Sequence, residues 1–109
     1  MWLLSPRGFY SVVADRDDPE TVIVRARVRE DLEDLADVVA DGVGVLETPE
    51  GDYPFRAVLG REEWSRALVL LAGEIDYPNF KAEVERRQGH ARADVYAELW
   101  ATLLSLQGR

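Results

Sequence analysis

From Thr21 to Val28 apolar and polar residues alternate. Val22, Val24, Ala26 and Val28 fall on one side, Arg25 and Arg27 on the other. A period of two predicts a strand with one buried and one solvated face. The run Phe9–Ala14 is rich in aromatic and β-branched residues and predicts a partner strand. Between them Asp15-Arg16-Asp17-Asp18-Pro19-Glu20 supplies turn chemistry, so the two strands read as a β-hairpin.

The period then lengthens. Across 29–40, Leu32, Leu35, Ala36, Val38 and Val39 recur at helical spacing, while Glu30, Asp31, Glu33, Asp34 and Asp37 fill the opposite, solvated face. Acids in the first turn suit the positive end of a helix dipole, and Asp41-Gly42 ends the helix. A second strand pair covers 43–48 and 53–59, with Pro49-Glu50-Gly51-Asp52 as its turn. In the later strand Tyr53, Phe55, Ala57 and Leu59 share a face, and Pro54 favours an edge or a strand start.

A helix follows from Gly60 to Gly73, with Trp64, Ala67, Leu68, Leu71 and Ala72 inward. The stretch Ile75–Phe80 interrupts the pattern. Pro78 predicts the first turn of a third helix over 79–88, capped by Asp76 or Tyr77, with Phe80 and Val84 inward. Gly89 breaks it. A last helix over 91–106 carries Val95, Tyr96, Leu99, Trp100, Leu103 and Leu106.

The order β-β-α-β-β-α-α-α predicts the α+β class. Two hairpins build an antiparallel sheet of about four strands, each hairpin is followed by a helix on one face, and two further helices end the chain. No linker or low-complexity stretch divides the sequence, and 109 residues fit a single domain over 1–109.

Composition narrows the function classes. The absence of cysteine excludes disulfides, thiolate metal sites and cysteine nucleophiles, and fits a cytoplasmic protein. Met1-Trp2-Leu3-Leu4 lacks a basic flank and Ser5-Pro6-Arg7-Gly8 interrupts it, so it does not read as a secretory leader. No apolar run approaches the roughly 18 residues of a membrane span, so no membrane partner is expected. The net charge of −8 argues against nucleic-acid binding, which rests on phosphate neutralisation. The charge is uneven. Residues 15–52 hold thirteen acids against Arg16, Arg25, Arg27 and Arg29, whereas 81–92 hold Lys81, Arg86, Arg87 and Arg92 against Glu83 and Glu85.

Candidate chemistry is sparse. His90 is the single histidine, and the acids of the 15–18 loop lack an EF-hand pattern, so neither metal nor cofactor is expected. None of Ser5, Ser11, Ser65 and Ser105 sits in a nucleophile elbow. Gly42-Val43-Gly44 follows a helix, the wrong context for a phosphate cradle. Asp76 has apolar and aromatic sequence neighbours that would desolvate an acid–base group, although capping the next helix explains it equally. In Glu85–Arg92, Arg87, His90 and Arg92 surround a helix start and would hold an anion, unless they pair with the protein's own acids.

Several stretches resemble a family of short bacterial proteins of uncharacterised activity. They are Pro6, Gly8, Phe9, Ser11 and Val12; Val24-Arg25-Ala26-Arg27; Asp52-Tyr53-Pro54-Phe55-Arg56-Ala57; Ile75-Asp76-Tyr77 with Asn79-Phe80-Lys81; and Arg87-Gln88-Gly89 with Arg92, Tyr96 and Trp100. Pro78 departs from the acidic or polar residue expected between Tyr77 and Asn79. The resemblance spans nearly the whole chain and implies no catalytic residues.

Two readings follow. The favoured one is a non-enzymatic protein-interaction domain, binding a protein partner or a second copy of itself through aromatic and arginine anchors. The alternative is a small enzyme or a protein binding a small anionic ligand, with Tyr53, Arg56, Asp76, Tyr77, Lys81, Arg87 and Arg92 around one site.

Overall fold

A computed structural model describes residues 1–108, and among them are a five-stranded antiparallel sheet and four α-helices. The α+β class is as expected, with one strand more. The chain divides into two compact units, Met1–Asp76 and Tyr77–Arg109.

The extra strand is β1, Trp2–Ser5, which pairs with β2, Gly8–Ala14, from Trp2 opposite Ser11 to Ser5 opposite Gly8. Three apolar residues are too few to display an alternation, so the strand left no periodic signal. Its turn is built by Ser5, whose Oγ accepts from the N–H groups of Arg7 and Gly8 at 3.2 and 3.3 Å. β2 pairs with β3, Thr21–Ala26. The second strand pair is shorter than the sequence predicts: β4 is Leu46–Glu47 and β5 is Phe55–Gly60. The sheet order is β1-β2-β3-β5-β4, so the two hairpins join where β3 meets β5, from Thr21 opposite Gly60 to Ala26 opposite Phe55.

Two helices cover one face of this sheet. α1, Arg29–Leu35, lies against β2, β3 and β5, and α2, Arg61–Gly73, against β3 and β5. Tyr10, Val12, Val24, Ala57 and Leu59 meet Leu32, Leu35, Trp64 and Ala67 in one buried cluster. Each leucine there removes a full side chain from water, worth about 1.5–3 kcal/mol. α1 stops earlier than its periodicity suggests. Ala36–Val38 tighten into a 3-10 turn and Val39 is extended, as suits paired β-branched residues.

The acidic side of α1 is not uniformly solvated. Asp31 is 3% exposed, and its Oδ2 accepts the Phe9 N–H at 3.0 Å. Asp34 and Asp37 turn to the buried Arg7, whose Nη1 reaches Asp34 Oδ1 at 2.8 Å and Asp37 Oδ2 at 3.0 Å. Glu74, just past α2, takes the other edge of the guanidinium, with Nη2 to Oε2 at 2.6 Å. Hydrogen bonds to Glu74 and then Asp37 outweigh the cost of burial and hold Arg7 even more firmly protonated than usual. α2 begins without a loop. Gly60 ends β5, Arg61 opens the helix, and the Glu63 carboxylate accepts the Gly60 N–H at 2.9 Å.

The second unit holds α3, Phe80–Gln88, and α4, His90–Leu103, packed on each other and followed by a 3-10 turn over Leu104–Gln107. The cap of α3 is Asn79, not Asp76 or Tyr77, and Pro78 lies ahead of the helix. Asn79 has the extended backbone a cap requires, and its side chain accepts the Ala82 N–H at 2.8 Å. Gly89 alone joins the helices, at φ 95° and ψ 171°. Val84, Ala93 and Tyr96 are buried, whereas Phe80, expected inward, is 37% exposed. Among the described residues no helix is long and apolar enough to cross a membrane.

Candidate functional site

Strand alternation turns Phe9 and Ser11 of β2, Ile23 and Arg25 of β3, and Arg56 and Val58 of β5 away from the helices. Trp2 of β1 and Leu46 of β4 share that face, 62% and 58% exposed. The register sets Arg25 directly opposite Arg56. Arg27 continues the same side beyond the end of β3.

Tyr53 sits against two of these arginines, Arg25 and Arg27. Its ring is buried, with the Arg25 guanidinium carbon 4.6 Å and that of Arg27 4.2 Å from its centroid. Stacking of this kind is a cation–π contact. Phe9 lies 6.4 Å from the Tyr53 ring, and Trp2 meets Phe9 edge-on at 5.3 Å. The expectation that Tyr53 shares a face with Phe55, Ala57 and Leu59 is therefore corrected. β5 begins only at Phe55, and the bend through Pro54 breaks the count of two.

The polar contacts of the cluster are few. Arg25 donates to the Ser11 carbonyl at 3.4 Å and to Ser11 Oγ at 2.7 Å, which accounts for a serine that is 1% exposed. Arg27 donates to the main-chain carbonyl of Asp52. Arg56 Nε is buried with no hydrogen-bond partner. Among the described residues none of the three guanidinium groups forms an ion pair.

The remaining sequence candidates are Asp76, Tyr77, Lys81, Arg87 and Arg92. Asp76 ends the first unit and is exposed, so it lacks the apolar enclosure its neighbours implied. Tyr77, Lys81, Arg87 and Arg92 belong to the second unit. Tyr77 lies 6.4 Å from Phe80, which stacks on Tyr96 at 5.9 Å and 9°. Arg92 Nη1 is 3.2 Å from the Tyr96 hydroxyl. Lys81 borders a groove of about 570 Å³ formed with Phe80, Tyr96, Ala97, Trp100 and Ala101. Arg87 is exposed in the last turn of α3.

Two members of the basic segment meet neighbouring acids. His90 lies between Glu85 at 3.6 Å and Asp94 at 3.3 Å, and Arg86 Nε donates to Glu83 at 3.0 Å. That hydrogen bond holds the Glu83 carboxyl below its ordinary range. Arg25 and Arg27 were the residues missed as site candidates. The available signal was that Arg25 and Arg56 fall on outward positions of β3 and β5, and Arg27 continues that alternation, with no acid interleaved in a chain holding 21 acids. Comparisons with family models, curated proteins and solved structures return no match for this chain.

Proposed function

We propose that the protein is a non-enzymatic protein-interaction domain that pairs with a second copy of itself through its C-terminal helical unit. The observation that carries this reading is the exposed apolar surface of that unit. Trp100, which lines the groove with Phe80, Tyr96 and Ala97, is 67% exposed, and Leu103 and Leu106 further along the unit are 52% and 81% exposed. A stretch shorter than about 40 residues rarely builds a sufficient core alone, and association is one of the usual remedies.

Charge selects a second copy as occupant. Met1–Asp76 carries eight arginines against seventeen acids, so two such units repel. From Tyr77 onward there are five basic residues against four acids, and like units approach without that penalty. Trp100 lines the groove and is itself exposed, so a two-fold pairing would set each Trp100 against the groove of its partner.

Sedimentation or light scattering of the full chain over a range of concentrations tests the reading. The expected species has twice the 12.3 kDa chain mass, and Trp100→Glu returns it to 12.3 kDa with unchanged circular dichroism. A wild-type monomer at every concentration, or a folded Trp100→Glu dimer, overturns it.

A further inference from the structure

We infer that Arg25, Arg27 and Arg56 around Tyr53 form a binding site for a phosphate-type oxyanion. The inference is independent of self-association, since every residue it uses lies in Met1–Asp76.

Arg25 and Arg56 are direct cross-strand neighbours, where like charges oppose each other at short range. Arg27 and Arg25 share one aromatic ring, at 4.2 and 4.6 Å, which keeps their charges within about a Debye length at 0.1 M salt. Among the described residues no carboxylate pairs with any of the three to offset this repulsion, although acids outnumber basic residues 21 to 13 in the chain. Even Asp52, next to Tyr53, meets Arg27 with its carbonyl.

Arg7 is buried, and there Asp34, Asp37 and Glu74 each supply a carboxylate within 3.0 Å. Arg56 receives none, and its Nε–H is shut from water without an acceptor. A buried donor left unmade is costly, and an incoming oxyanion supplies the acceptor.

A guanidinium edge presents two parallel N–H groups that match two oxygens of a phosphate. One carboxylate neutralises a third of the cluster's three charges, whereas a phosphate dianion neutralises two of them and has oxygens to spare for a second arginine. The approach is open on one side: Arg27 is exposed, and Arg25 and Arg56 are half-buried. Tyr53 fixes the two guanidinium planes in advance, which lowers the ordering cost of binding.

The test is a titration of the full-length protein with inorganic phosphate in a low-salt, phosphate-free buffer, followed by nitrogen-15 NMR. Saturable shifts of the Arg Nε–H signals and of the amides of Arg25, Arg27, Tyr53 and Arg56 are expected. Arg56→Gln and the exposed Arg27→Gln should each weaken binding about tenfold or more. Arg66→Gln, whose side chain is 72% exposed and pairs with Glu62, should leave it unchanged. Phenyl phosphate separates the sources: tighter binding than inorganic phosphate assigns the site to a phosphate monoester, equal binding to the free ion. Absence of saturable shifts overturns the inference. So does binding unaffected by Arg27→Gln in a folded variant, and acetate binding as tightly as phosphate overturns the dianion class.

Discussion

Arg7 and Glu74, 67 residues apart, are joined by two parallel hydrogen bonds, Nε to Oε1 at 2.9 Å and Nη2 to Oε2 at 2.6 Å. The pair fastens the β1–β2 turn to the residue that follows α2. Its forked geometry is specific to arginine. Arg7→Lys keeps the charge and loses the fork, and should lower stability by about 2–3 kcal/mol, less than a fully buried pair because Glu74 and Asp37 remain partly in water. Urea unfolding followed by circular dichroism reads this as a lower midpoint with an unchanged slope. An unchanged midpoint would mean the fork contributes nothing.

Gly8 touches Asp31 so closely that a Cβ built on it would lie 2.5 Å from the Asp31 Cγ and 2.8 Å from its Cβ. Asp31 cannot yield freely, because its carboxylate holds the Phe9 N–H and its carbonyl accepts the Tyr10 hydroxyl at 2.8 Å. Gly8→Ala should therefore destabilise by about 1–3 kcal/mol, in the range of overpacked cores. A thermal melt of the variant checks this, and a melting temperature equal to wild type refutes the tight contact.

Gly89 adopts a backbone conformation almost confined to glycine. Space is not the obstacle to a side chain there, since nothing lies within 4 Å of a Cβ at that position. Gly89→Ala should cost about 1–3 kcal/mol through strain alone. Amide exchange locates the effect: protection should fall in α3 and α4 and persist in β2 and β3. Uniform loss across both units would contradict it.

Asp15 accepts the Asp17 N–H at 2.9 Å and the Thr21 hydroxyl at 2.9 Å. The backbone bond first, and the hydroxyl second, hold its carboxyl below the ordinary aspartate value of 3.8. A depressed carboxylate contributes stability that is complete above the unfolded value and is lost as pH falls through the folded one. The carbon-13 titration of the Asp15 carboxyl should thus have its midpoint below that of an ordinary aspartate, and Thr21→Val should move it upward. A midpoint indifferent to Thr21→Val would remove the hydroxyl from the account.

The features legible in the sequence were those with a local period. Val22, Val24 and Ala26 against Arg25, and Leu32 with Leu35, announced strand and helix through spacing alone, and the α+β class followed. What stayed hidden depends on partners far along the chain. Arg7 reads as part of a turn until Asp34 and Glu74 are brought to it. Asp31 reads as a solvated acid until Gly8 makes room for it. The candidate site was half legible for the same reason. Tyr53 and Arg56 stood out by composition, but Arg25 acquires its meaning from the β3–β5 register, which no single stretch of sequence encodes.

The junction between β5 and α2 has a consequence for how this chain tolerates change. Gly60 pairs with Thr21 and the Arg61 N–H bonds the Glu20 carbonyl at 2.8 Å, so strand and helix meet with no slack. One residue inserted there would rotate α2 by about 100°, carrying Trp64 and Ala67 out of the core. The same insertion near Gly44, where a Cβ would meet nothing within 4 Å, adds length to a loop. Length variation in this protein is therefore expected to collect in the 41–45 segment and to avoid the Gly60–Arg61 seam.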